Sequence, residues 1–101
     1  MNKVEIFKAL SNKTRLQILQ LLKEPDQYFP PQHAGDCTFE QGVCVGHIQQ
    51  KLGLSQSTVS EYLSTLQRAG LITATRSGQW TYYKRDDDAI QQVAEAILKD
   101  L

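Results

Sequence analysis

Apolar side chains recur every three or four residues in several stretches of the chain, a spacing typical of helices with one buried face. Two such stretches lie near the N-terminus, with the stripes Val4, Phe7 and Leu10, then Leu16, Leu19 and Leu22. Asn12 precedes the second stripe and has the side chain of a helix N-cap, so a second helix is expected from there to about Lys23. The start of the chain therefore predicts two amphipathic helices.

Residues 47–70 have the pattern of two helices joined by a tight turn. A short helix is predicted at His47–Leu52 and a longer one at Gln56–Arg68. Between them, Gly53 permits a positive φ and Ser55 can cap the longer helix. The longer helix has one apolar stripe, formed by Val59, Leu63 and Leu66.

Residues 71–85 predict a β-hairpin. Two runs of strand-forming residues, Leu71–Arg76 and Gln79–Arg85, flank a turn at Ser77-Gly78, and Trp80 is expected to lie in the core beneath the hairpin. The order helix, turn, helix, hairpin is that of a winged helix-turn-helix, a module that lays its second helix in the DNA major groove. The predicted fold is mainly α with a small β-hairpin.

The polar face of the longer helix and the hairpin supply the candidate DNA contacts. Hydroxyl and amide side chains can hydrogen-bond base edges and phosphates, and basic side chains on a wing can reach phosphates. The predicted DNA-binding residues are Ser55, Gln56, Ser57, Thr58, Ser60, Glu61, Ser64, Arg68, Arg76, Gln79 and Lys84. A solvated helix face, or a winged-helix module that binds protein without specific DNA binding, is the alternative. A steep salt dependence of DNA binding would separate a DNA-binding protein from a protein-interaction module.

The net charge is zero, but the charges are unevenly placed. Residues 50–85 hold five basic side chains and one acidic, whereas residues 86–101 hold five acidic and one basic. A basic head with an acidic tail suits a protein that turns one side toward DNA. There is no apolar run long enough to span a membrane and no signal-peptide pattern, so a single cytoplasmic domain over residues 1–101 is expected.

The last stretch, residues 86–101, predicts a helix that begins at Asp86-Asp87-Asp88 and has a broad apolar face. Together with the first helix it could form a self-complementary interface, which predicts a homodimer and a double-stranded DNA operator with two-fold symmetry. The alternative is that this helix caps its own core. The candidate dimer residues are Val4, Phe7, Ile90, Val93, Ile97, Leu98 and Leu101.

Residues 24–43 are predicted to form a long irregular loop, because prolines and glycines interrupt it. This segment and the start of the next helix contain thiols and imidazoles, which are zinc-like ligands. A metal site at His33, Cys37, Cys44 and His47, a redox switch between Cys37 and Cys44, and two incidental thiols are the three interpretations. No cofactor is required by any motif, and no catalytic pair or phosphate-binding loop suggests an enzyme.

The ordered set of motifs resembles the ArsR/SmtB family of dimeric winged-helix repressors. The resemblance is carried by Phe7-Lys8-Ala9-Leu10-Ser11-Asn12-Lys13-Thr14-Arg15-Leu16, by Val43-Cys44-Val45-Gly46-His47-Ile48, by Leu54-Ser55-Gln56-Ser57-Thr58-Val59-Ser60, by residues 63–71 and by the wing at 76–83. It implies a homodimeric transcriptional repressor that is released from its operator by an inducer; a redox signal is the prediction of the Cys37–Cys44 switch alone.

The chain departs from the family pattern at several positions. Lys13 stands where the family usually has proline. In the segment that holds two metal-binding cysteines in many members, Cys44 matches the first, Gly46 replaces the second and His47 replaces an aspartate. The last helix also has no histidine for the family's other zinc site. These departures count against the usual metal sites, so the identity of the inducer stays open.

Overall fold

Six helices and three short strands make up the described part of the chain, residues 2–31 and 39–101 of a computed structural model. In chain order they are α1 (Lys3–Leu10), α2 (Lys13–Lys23), α3 (Pro25–Tyr28), β1 (Val43–Cys44), α4 (Val45–Leu52), α5 (Gln56–Arg68), β2 (Ile72–Ser77), β3 (Trp80–Arg85) and α6 (Asp87–Asp100). No described helix is long and apolar enough to cross a membrane.

Polar side chains cap the N-termini of four of these helices, three of them at positions that the sequence predicts. Asn12 accepts a hydrogen bond from the Arg15 N–H at 2.9 Å, which confirms it as the cap of α2. Asp86 accepts from the Ala89 N–H at 3.0 Å and starts α6. Asn2 caps α1 in the same way, and Ser55 caps α5. Each cap satisfies a backbone donor that would otherwise have no partner within its helix.

The wing is a three-stranded antiparallel sheet with the order β1-β3-β2, not an isolated hairpin. The third strand, β1, pairs Val43 with Tyr83 and Cys44 with Tyr82, and no pattern in the sequence predicted it. Its two residues are too few to show a period of two. The hairpin turn also lies one residue later than predicted, because Ser77 pairs with Trp80 and leaves Gly78 and Gln79 as the turn.

The segment predicted to be irregular is ordered near both of its ends. The prediction was wrong for residues 25–28, where Pro25 takes the first position of α3, at which a backbone N–H has no partner within the helix and its absence costs nothing. It was also wrong at Val43, which belongs to β1. The rings of Phe29 and Phe39 meet with centroids 6.4 Å apart, so the two sides of the intervening chain are joined within the core.

The core lies where α2, α4, α5 and the sheet meet. Its completely enclosed side chains are Val43, Ile18, Ile48, Val59, Leu63, Leu66, Leu71 and Ile72. Leu19 and Leu22 are buried as predicted, and Ile18 and Leu21 are buried beside them. Leu16 is 42% exposed, so its placement in the apolar stripe was wrong.

Arg15 lies in the first turn of α2, where the helix dipole disfavours a cation, and its partners are backbone carbonyls. Its guanidinium donates to the carbonyl of Ala9 at 2.7 Å and to that of Lys8 at 2.9 Å. It also lies over the Tyr62 ring, 5.8 Å from the centroid. Arg15 thus satisfies carbonyls at the end of α1 and ties α1 and α2 to α5.

Gly42 is the position where the sheet tolerates no side chain. Its φ is +110°, and a Cβ there would lie 2.3 Å from the Tyr83 carbonyl oxygen. We expect Gly42→Ala to lower the free energy of unfolding by about 2–4 kcal/mol, because it adds a backbone clash to an unfavourable φ. Urea denaturation followed by circular dichroism measures this loss.

Gly53→Ala is the matched control for that experiment. Gly53 also has a positive φ, +69°, but open space surrounds its missing Cβ. It should cost only the left-handed backbone penalty, about 1 kcal/mol. Equal losses for the two variants would show that the close approach of Gly42 to β3 carries no energy of its own.

Candidate nucleic-acid interface

The turn between α4 and α5 fixes the angle at which α5 leaves the body. Gly53 adopts the left-handed conformation and donates its N–H to the Gln49 carbonyl at 2.9 Å, which ends α4. Ser55 then accepts from the Thr58 N–H at 3.2 Å, which begins α5. The predicted bounds of α5 match the structure, while α4 begins two residues earlier than predicted, at Val45.

One face of α5 is held in the core and the other is presented to solvent. Val59, Leu63 and Leu66 are fully buried against α2, α4 and β2. The predicted contact residues are on the open face, where all but the half-buried Thr58 are exposed: Ser55, Gln56, Ser57, Ser60, Glu61, Ser64 and Arg68. Gln56, Ser60 and Ser64 follow one another at four-residue spacing and form a polar ridge.

Three of these hydroxyls are already engaged within the protein. Ser55 Oγ, besides capping α5, donates to Thr58 Oγ1 at 2.8 Å and lies 3.3 Å from Ser57 Oγ, within hydrogen-bond distance. These three side chains therefore first stabilise the geometry of the turn. Gln56, Ser60 and Ser64 keep side chains with no such local role, which makes them the better candidates for reading base edges.

The wing extends beyond the body of the domain, and its cations lie along it. Arg76 donates from Nε to the Gly78 carbonyl at 3.2 Å and so braces the turn. Lys84 donates to the Glu40 carbonyl at 3.2 Å, which places it nearer the start of β1 than the wing tip. Gln79 is exposed at the turn. Arg76 and Gln79 are thus the wing residues best placed to meet a phosphate.

Trp80 is a surface residue of the wing, and the prediction that it lies in the core was wrong. It is 41% exposed, whereas Tyr82, two residues on and on the same strand face, is buried. Trp80 pairs with Ser77 beside the hairpin turn, where all residues from 75 to 80 are exposed. Burial raises the pKa of the Tyr83 hydroxyl above its ordinary value.

A second exposed surface, apolar rather than polar, is formed by α1 and α6. Lys3 forms a salt bridge with Asp100, which sets the first turn of α1 beside the last turn of α6. Of the predicted dimer residues, Val4, Ile97, Leu98 and Leu101 are exposed, the last two by more than four-fifths. Phe7 and Ile90 are half-buried, and Val93 is buried in the core of its own protomer.

The sensor candidates are only partly within the described residues. His33 and Cys37 lie outside them, so the metal site and the Cys37–Cys44 switch stay predictions. Cys44 is buried in β1, and a Cβ at Gly46 would lie 3.9 Å from its Sγ. Within residues 2–31 and 39–101, no group of three or more His, Cys, Asp or Glu side chains is close enough to hold a metal ion.

Comparison with known proteins identifies the class that this geometry belongs to. Residues 39–74 match the family model described as a bacterial regulatory protein of the arsR family. The chain is 54% identical to the HTH-type transcriptional regulator YbzH of Bacillus subtilis, over all of both chains. It is 33% identical to the transcriptional repressor SdpR of the same organism, over 92% of this chain and 86% of that protein.

A solved structure shows the same architecture. The homodimeric winged helix-turn-helix DNA-binding domain of Mb0332 from Mycobacterium bovis superposes with a TM-score of 0.65 at 29% identity, covering 94% of this chain and 74% of that one. The chain therefore belongs to the ArsR family. It is a transcriptional regulator with a DNA-binding winged helix and not an enzyme, and that activity requires no cofactor.

Trp80 provides a direct test of the wing, because it is the single tryptophan of the sequence. We expect its fluorescence emission to shift or lose intensity when duplex DNA is added, since an exposed indole on the wing would approach the DNA backbone. Emission that stays unchanged at saturating DNA would place the wing away from the duplex. Binding in that titration is followed independently by the anisotropy of labelled DNA.

Proposed function

We propose that this chain is a homodimeric repressor that binds a two-fold symmetric operator and is released by an inducer or a redox signal. The observation that supports the proposal most strongly is the division of α5, with one face fully buried and the other an exposed polar ridge. A helix held in this way can enter a major groove without distorting the domain.

The charges of the described residues support an approach from that side. Arg68 ends α5, Arg76 lies on the wing and Lys51 lies on α4, and all three are exposed. The acidic residues of α6 are on a different element. Cations next to the polar ridge would neutralise phosphates while the ridge reads bases, and phosphate contacts would make binding fall steeply with salt.

The exposed surface of α1 and α6 supports the dimer. Leu98 and Leu101 present large apolar side chains to solvent in the single chain, an arrangement that a partner would relieve. The Mycobacterium bovis domain is described as homodimeric, and SdpR is described as a repressor. Two copies joined through α1 and α6 would present two α5 helices to half-sites one helical turn apart.

Base reading by α5 predicts a loss of specificity. We expect Gln56→Ala to weaken binding to DNA from upstream of the protein's own gene by about fivefold or more, and to leave binding to scrambled DNA nearly unchanged, since an amide can pair with a base edge. Ser57→Ala should act in the same direction. Fluorescence anisotropy at fixed salt, on both DNAs, gives the comparison.

Arg76→Ala is the control for phosphate contacts. It should weaken binding to both DNAs alike and reduce the salt slope by about one. Equal losses on both DNAs for Gln56→Ala would remove the base-reading role. Binding that is insensitive to salt in the unaltered protein would instead favour a protein-interaction module.

If α6 forms the dimer interface, a charged side chain placed within that interface should weaken the dimer. Ile97 is 40% exposed in the single chain, so Ile97→Asp should leave the protomer folded and shift the protein toward monomer in sedimentation velocity. Gln92→Asp adds the same carboxylate at an exposed polar position on a different side of α6 from Ile97 and Leu98, and should leave the dimer intact. A dimer that survives Ile97→Asp would move the interface elsewhere.

A further inference from the structure

A pocket of about 330 Å³ lies between α3 and α4, and no residue of α5 lines it. Six residues line it, three from the end of α3 and the chain just after it and three from α4: Tyr28, Phe29, Pro30, His47, Gln50 and Lys51. The volume is at the lower end of the range for small-molecule sites, which suits a ligand with a single ring.

The two walls of the pocket have different chemistry. The α3 side is an aromatic and apolar surface, with Phe29 anchored in the core and the Tyr28 ring open to solvent. The α4 side presents nitrogen donors, because His47, Gln50 and Lys51 recur at three- and four-residue spacing and share one face of the helix. None of the six lining residues is a carboxylate.

Lys51 already makes the kind of contact that a ligand would extend. Its ammonium lies 6.0 Å from the centroid of the Tyr28 ring, so the cation and the aromatic wall face the same space. An anion beside Lys51 would gain a charge-assisted hydrogen bond, and a flat apolar body would pack on Tyr28. An aliphatic acid, a metal ion or a sugar would match only one wall or neither.

From this arrangement we propose that the pocket binds a small aromatic carboxylate, with the ring on Tyr28 and Pro30 and the carboxylate on Lys51 and Gln50. The site does not depend on DNA binding. Its role as an inducer site rests on the proposed function. The ligand would bridge α3 to α4, the first helix of the helix-turn-helix, and would neutralise the Lys51 charge on the DNA-facing part of the chain.

Benzoate is the probe, and isothermal titration calorimetry on the full chain is the measurement. We expect saturable binding of benzoate and much weaker binding of benzyl alcohol, which lacks the charge, and of acetate, which lacks the ring. Lys51→Gln should weaken benzoate binding roughly tenfold, whereas Lys51→Arg should retain it. Lys99→Gln removes an exposed lysine from α6 and should change nothing.

The outcomes distinguish failure of the proposed ligand site from failure of the proposed regulatory function. Absence of saturable benzoate binding, equal binding of benzyl alcohol, or an unchanged affinity in Lys51→Gln would overturn the site. If benzoate binds but DNA affinity is the same with and without it, the pocket stands and its inducer role is wrong. If benzoate binds and the protein binds no DNA, the proposed function fails while the site stands. Benzoate that weakens DNA binding in the unaltered protein, but not in Lys51→Gln, would support both.

Discussion

The burial of one stripe of α5 is the constraint on which the rest of the molecule depends. Val59, Leu63 and Leu66 are completely enclosed, and each buried side chain of this size contributes about 1.5–3 kcal/mol. Because the stripe is fixed against three neighbouring elements, the opposite face of α5 has one orientation only. The polar ridge is therefore a preformed surface, and a duplex that meets it need not order the helix first.

The sequence was most informative where the structure is local. The bounds of α5, the caps Asn12, Ser55 and Asp86, and the hairpin all follow from short-range rules of capping, turn chemistry and periodicity. The structural features that the sequence did not predict depend on contacts between residues far apart in the chain. β1 exists because two residues pair with a strand that comes about forty positions later, and Arg15 finds its acceptors at the end of another helix.

The candidate site shows the same division. The open face of α5 could be named residue by residue, since burial of one stripe exposes the other. The status of Trp80 could not be foreseen, because a strand's period of two gives the face of a side chain but not how far the hairpin extends past the core. Likewise, the wall that His47, Gln50 and Lys51 present becomes a pocket only because α3 lies opposite, where the prolines had suggested no helix.

The geometry of Gly46 bears on the thiol chemistry that this scaffold can hold. A Cβ at that position would lie 3.9 Å from the Cys44 sulfur, and apart from its chain neighbours and the backbone of its own helix no other described atom comes within 4 Å. The backbone at the start of α4 can therefore hold a second thiol beside Cys44. A single substitution, Gly46→Cys, would set two sulfurs side by side without rebuilding the scaffold, so the same fold can gain or lose thiol chemistry while α5 stays unchanged.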